Sequence, residues 1–258
     1  MVSIQKNQNL FDLVAGKRVA IVGPAPYLVD KELGSLLDDY DVICRPNDII
    51  PPIDRRKDYA SRTDIMFHGC GTPQLDVLKN KVSLALEHFK KLKLVVCPVI
   101  LSEHSEMYFY LSWPDDYVSN VVRNFYELNK YDIPFYWIGV KDYKTLYGIV
   151  GQQPNVGVLA IIMLLCYPIE ELFVSGYTFY LGGDKFEDQY YNKHYFDKLY
   201  QPPEKKYDVN GGHGYDANMT QIMFFKSLCE QQGNRIRVDS YLNDLLQLNH
   251  SNVVGLEY

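Results

Sequence analysis

The chain has 258 residues, 47% of them hydrophobic, which is enough for one large α/β domain and too little for two independent full-sized ones. A net charge of −6 argues against a nucleic-acid binder, whose phosphate contacts need a basic face, so an anionic ligand has to be met by local donors. No apolar stretch reaches the roughly 20 residues of a membrane helix, and the opening MVSIQKNQNL is polar where a signal peptide is apolar, so the default expectation is a cytoplasmic protein without a transmembrane segment.

In chain order, short apolar runs at 18–22, 41–44, 64–67, 94–99, 135–140 and 172–175, each ended by Gly, Pro or a polar residue, read as buried parallel strands. Segments 31–37, 82–91 and 115–129 between them read as helices. The longest apolar stretch, 156–166, is closed by Pro168 and reads as a buried core helix. Residues 180–214, rich in Tyr, Asp, Lys and Gly without an apolar period, read as a lid or long loop over a site. At 217–230 a helical pattern resumes, with Ile222, Phe225 and Leu228 able to share a face. Strand alternating with helix predicts an α/β fold: a Rossmann-like, mostly parallel sheet with flanking helices, in a single domain over 1–258.

Ligands of such sheets bind beyond the carboxyl ends of the strands. Those ends carry Gly23-Pro24, Arg45 with Asn47, His68-Gly69, and Gly176-Tyr177. A single glycine after the first strand is no dinucleotide fingerprint, although it lets backbone approach a ligand closely, as it also would in a merely tight turn. Ser175 lacks the leading glycine of a hydrolase elbow. Asp39-Tyr40-Asp41 matches the metal-binding pattern of many nucleotide-sugar enzymes, yet it precedes its strand and so falls at the amino edge of the sheet; no metal site is expected.

His213 lies in Gly211-Gly212-His213-Gly214 directly before a helix, where flexible backbone suits an imidazole that reaches a substrate as a base. A loop histidine without a role has the same pattern, and His68 and His194 are weaker candidates of this kind. Asn155, ahead of Val156-Gly157, suits a helix N-cap whose N–H groups meet an anion, and capping alone also accounts for it. Of the 22 tyrosines, Tyr177, Tyr180, Tyr190 and Tyr191 cluster where the lid begins; phenols donate to a departing phosphate and equally pack as surface residues. The five cysteines are widely spaced and read as free thiols, three of them inside apolar runs.

Taken in order, these pieces resemble the sialyltransferases, glycosyltransferase family 29 and the related bacterial family 42. The resemblance rests on Val19-Ala20-Ile21-Val22-Gly23, Arg45-Pro46-Asn47, Arg62-Thr63, Asn155-Val156-Gly157, Ser175-Gly176-Tyr177-Thr178-Phe179-Tyr180 and His213-Gly214-Tyr215-Asp216. It implies a CMP-activated sugar as donor, a glycan acceptor, inversion at the anomeric carbon, and no cofactor or metal. Asn47, Asn155 and Gly157 would then contact the nucleotide or donor, Tyr180 the departing phosphate, and His213 would be the base. Pro24 stands where the family has asparagine, so contacts at that turn must differ. Two alternatives remain at this level: a non-catalytic nucleotide-sugar or glycan-binding protein on the same fold, and a Rossmann-like enzyme of another class.

Overall fold

Runs dominated by Val, Ile, Leu and Phe form the sheet of the chain, whose computed structural model describes residues 4–47, 51, 53–69, 91–98, 129, 132–179 and 215–248. The strands are β1 (Arg18–Val22), β2 (Val42–Pro46), β3 (Ile65–Phe67), β4 (Leu94–Cys97), β5 (Phe135–Trp137), β6 (Glu171–Ser175) and β7 (Ile236–Val238). They pair in the order β5-β4-β3-β2-β1-β6-β7, every neighbour parallel, with Ile21 opposite Cys44 and Val22 opposite Ser175. This is the parallel α/β sheet that the alternating pattern predicts.

A parallel sheet covered on both faces needs apolar residues at consecutive positions, and β1 shows why. Val19 and Ile21 enter one core, Ala20 and Val22 the other, and all four are fully buried. The helices described are α1 (Gln8–Val14), α2 (Gly34–Asp38), α3 (Arg56–Tyr59), α4 (Val140–Val150), α5 (Val156–Leu165), α6 (Tyr215–Gln232) and α7 (Ser240–Leu246). The first core takes Leu10 of α1, Tyr143 and Leu146 of α4, Phe225 of α6 and Leu242 of α7, together with most of α5. On the second face, Leu37 of α2 and Tyr59 of α3 pack with Tyr40 and Phe173.

Helix α5 is the predicted core helix. Every residue from Val158 to Leu165 is buried, and each large aliphatic side chain so removed from water contributes about 1.5–3 kcal/mol. Among the described residues no helix is long and apolar enough to cross a membrane.

Three elements differ from the expectation. The 135–140 run ends as a strand at Trp137, because Gly139 turns the chain and Val140 opens α4. Helix α4 went unexpected although Tyr143, Leu146 and Val150 recur on one face and Gly151, at φ +81°, stops it in left-handed geometry. Strand β7 was also missed: it has three residues, and Arg237 interrupts its apolar pair to meet Glu171 at 3.5 Å. Conversely, α6 matches the expected helix, with Ile222 and Phe225 buried and Leu228 packed beside them. The expected helices over 82–91 and 115–129 lie outside the described residues except at Lys91 and Asn129, as does the whole of 180–214. Cys44, Cys97, Cys166 and Cys229 are free thiols, the first two and the last of them buried; Cys70 is outside the described residues.

Candidate functional site

The chain winds outward from β1 to β5 and then returns to the opposite side of β1 with β6. The connections leaving the carboxyl ends of β1 and β6 therefore diverge, and the crevice between them is where open α/β sheets take their ligands. Two glycines meet at that point. A Cβ on Gly176 would stand 2.5 Å from the Gly23 carbonyl oxygen, and one on Gly23 would stand 2.9 Å from the Gly176 carbonyl carbon. Neither position admits a side chain, and Gly176 is further required by its φ of +78°. The backbone closes the seam: Gly23 N–H donates to the Ser175 carbonyl at 2.8 Å and Ala25 N–H to the Gly176 carbonyl at 3.0 Å.

Tyr177 lies across this seam, 8% exposed. Its ring covers Gly157 in the first turn of α5, where a Cβ would approach Cε1 most closely and stand 3.0 Å from Oη. The other side of the ring borders Gly23, with Cδ2 at 3.1 Å from a Cβ built there. Phe179 continues the aromatic layer, its ring centroid 6.1 Å from Tyr177 and 5.6 Å from Phe225 of α6. Asn155 caps α5, its Oδ1 accepting from Val158 N–H at 2.9 Å, while its own N–H donates to Gln221 Oε1 at 2.9 Å. Residues expected at the site from three separate places in the chain, Gly23, Asn155-Val156-Gly157 and Gly176-Tyr177, are thus brought together. Pro24, partly exposed, follows Gly23 on the rim.

One strand further along the same edge, Asn47 adopts φ +54°, a left-handed geometry that asparagine tolerates better than most residues. Its Oδ1 accepts from Gly69 N–H at 3.3 Å, joining the ends of β2 and β3. His68 sits beside it, fully buried, with its N–H donating to the Val96 carbonyl at 2.8 Å.

Arg45 is placed differently. Strand β2 runs on to Pro46, so Arg45 is inside the strand and fully buried. Its Nε donates to Thr63 Oγ1 at 2.9 Å, and Nη2 donates to the carbonyls of Tyr59 and, at 3.4 Å, Arg62. Arg62 is engaged as well, with Asp64 at 3.1 Å, Asp38 at 3.5 Å and the Tyr40 carbonyl. Asp39-Tyr40-Asp41 lies at the amino edge as expected: Asp41 Oδ2 accepts from Arg18 N–H at 2.9 Å and Tyr40 Oη donates to Glu171 at 2.7 Å. Tyr180, Tyr190, Tyr191, His194 and His213 are outside the described residues.

Two residues that no sequence pattern singled out stand at the centre of the seam. Asp239, at the end of β7, is 2% exposed. Its Oδ1 caps α7 by accepting from Leu242 N–H at 2.8 Å. Its Oδ2 accepts from Tyr27 Oη at 2.6 Å, Ser175 Oγ at 2.8 Å and Gly176 N–H at 3.2 Å. Burial raises the Asp239 carboxyl above its ordinary value, partly opposed by these donors. The Tyr27 phenol is also held well up, first by burial and then by the neighbouring Asp239 charge, so it stays a donor toward the carboxylate. The one local signal was an Asp ahead of Ser240 and an apolar turn, an N-cap pattern.

No family model matches the sequence, and no curated protein sequence matches it. Among solved structures, the chain is similar to a crystal structure of a mammalian sialyltransferase at 14% identity, covering 90% of this chain and 76% of that one with a TM-score of 0.47. It is likewise similar to a crystal structure of a mammalian sialyltransferase in complex with Gal-beta-1-3GalNAc-ortho-nitrophenol, at 14% identity, 90% and 77% coverage and a TM-score of 0.45.

Proposed function

We propose that the chain is an inverting glycosyltransferase that moves a keto-sugar acid, sialic acid or a Kdo-like sugar, from a CMP-linked donor to a glycan hydroxyl without a metal. One observation carries the reading. The motifs that carry the resemblance are far apart in the chain, yet the Tyr177 ring packs between Gly23 and Gly157, and Gly176 closes on Gly23, at the reversal of strand order. An α/β sheet binds its ligand there.

The start of α5 offers the donor phosphate the positive end of a helix, while Asn155 spends its oxygen on the cap and keeps its amide NH2 for a ligand. Arg45 and Arg62 are held within the fold, so recognition of the sugar carboxylate falls to other groups. The Asp39-Asp41 pair is at the opposite edge, which supports chemistry that does not route a diphosphate through a metal at that motif.

In the reaction, the acceptor oxygen forms a bond to the anomeric carbon as the bond from that carbon to the CMP phosphate oxygen breaks. The electron pair leaves with CMP, and the acceptor proton passes to the His213 imidazole; such base assistance contributes about 10²–10⁴-fold. Tyr180, with Tyr190 and Tyr191, would donate to the departing phosphate, and segment 180–214 would exclude water that hydrolyses the donor. The test is release of CMP from CMP-sialic acid and CMP-Kdo, with and without chelator, over a panel of glycan acceptors. The proposal expects turnover by the wild type and its loss in His213→Ala. No turnover of either donor by the wild type would sink it, and activity abolished by the chelator would sink its metal-free part.

A further inference from the structure

We propose that Tyr27 and Asp239 are positioning residues of this site: together they hold the Gly176-Tyr177 turn, and through it the Tyr177 ring, in the geometry that shapes the crevice. The proposal rests on the donor reading above for what occupies the crevice, and on the hydrogen bonds alone for the clamp itself.

Two successive backbone N–H groups, with Gly176 in left-handed geometry, form a concavity of the kind that elsewhere receives an anion. Here both point inward at one phenolic oxygen. Gly176 N–H donates to Tyr27 Oη at 2.8 Å and Tyr177 N–H donates to the same atom at 3.1 Å. The Tyr27 hydroxyl has a single proton, and it goes to Asp239 Oδ2. Asp239 therefore fixes the direction of that hydroxyl and leaves its lone pairs for the two amides.

The clamp has two consequences for the site. The turn N–H groups at 176 and 177, like those of Gly23 and Ala25, are committed within the fold, so a donor phosphate meets α5 and side chains rather than these turns. The ring of Tyr177, lying directly on Gly157, is placed by the turn that Tyr27 holds. Tyr27 is itself fixed from behind by stacking on Tyr241, with ring centroids 4.1 Å apart.

Tyr27→Phe keeps the ring and removes the oxygen that accepts from Tyr177 N–H, and the nearer of the two acceptors of Gly176 N–H, which retains Asp239 Oδ2 at 3.2 Å. Amide exchange followed residue by residue and CMP affinity by calorimetry test the clamp. In the wild type, Gly176 and Tyr177 should exchange as slowly as strand amides; exchange typical of an open turn overturns the proposal without any variant. In Tyr27→Phe, exchange at Tyr177 should speed by about 10-fold or more, exchange at Gly176 by less because Asp239 Oδ2 still accepts from it, and CMP binding should weaken by about 10-fold. Ser175→Ala, which removes one donor to Asp239 and no donor to Tyr27, should change exchange at Tyr177 little. Unchanged exchange at Tyr177 in Tyr27→Phe refutes the clamp. Faster exchange with unchanged CMP affinity refutes the positioning role, since a merely structural bond would behave that way. A wild type that binds no CMP counts against the donor reading, and the exchange results then decide the clamp alone.

Discussion

Replacing Gly157 by alanine places a methyl carbon 3.0 Å from Tyr177 Oη and 3.2 Å from Cζ, with Cε1 nearer still. Ordinary carbon contacts lie near 3.5–4 Å (roughly), so the ring must move. It has little room: Tyr177 is nearly buried, bordered by Gly23 on one side and Phe179 on the other. Overpacking of this kind costs about 1–3 kcal/mol, while the gain in helix propensity from glycine to alanine, at most about 1 kcal/mol in a helix interior, is smaller in a first turn. The account therefore predicts a net loss of about 1–2 kcal/mol for Gly157→Ala in urea denaturation. Gly148→Ala is the internal control. Gly148 is inside α4 with nothing within 4 Å of an added Cβ, so the same change should stabilise by about 0.5–1 kcal/mol. If Tyr177 is the obstacle, Tyr177→Leu should remove part of the Gly157→Ala penalty in the double variant. Gly157→Ala as stable as the wild type, or more so, would refute the packing of Tyr177 on α5.

Arg45→Lys exchanges a planar fork for a point charge in a fully buried setting that includes the Thr63 hydroxyl and the Tyr59 and Arg62 carbonyls, and should cost about 2–3 kcal/mol in chemical denaturation; unchanged stability with a raised KM for the donor would return Arg45 to the binding site. Asp239→Asn places an amide NH2 or a neutral oxygen before three donors and should cost about 1.5–3 kcal/mol. The native Asp239 carboxyl is raised, so between its ordinary and raised values the folded state binds more protons than the unfolded one. Its contribution to stability is therefore greatest at low pH and is lost as pH rises through that window. Asn does not titrate, so the deficit of Asp239→Asn should narrow as pH rises; a deficit that widens would mean that the hydrogen bonds outweigh burial.

The sheet was legible because both its faces are covered: a strand such as Val19-Ala20-Ile21-Val22 must be apolar at every position, and it announces itself. The rim was legible for a related reason, since each glycine or asparagine after such a run marks where backbone leaves the sheet. Arg45 reads as a rim residue because the apolar run ends at Cys44, whereas pairing with Met66 and Phe67 carries β2 two residues further and draws the guanidinium inside. Asn155 showed both its roles in advance, and the structure fills the capping one. Tyr27 and Asp239 were not legible: their bond spans 212 positions, and nothing local distinguishes an N-cap aspartate from one that also gathers a phenol, a serine and a backbone amide. Gln221, 66 positions from the Asn155 N–H it accepts, was hidden in the same way, within a helix whose face pattern concerned only its apolar residues.

The central claim is that a CMP-linked ligand occupies the crevice between β1 and β6, around Tyr177. Its most direct test is titration of CMP into isotopically labelled protein with residue-resolved amide shifts. The account predicts saturable shifts at Gly23, Val156, Gly157 and Tyr177, with none around Asp39-Tyr40-Asp41 at the opposite edge. Shifts confined to that amino edge, or no shifts at saturating CMP, would contradict it.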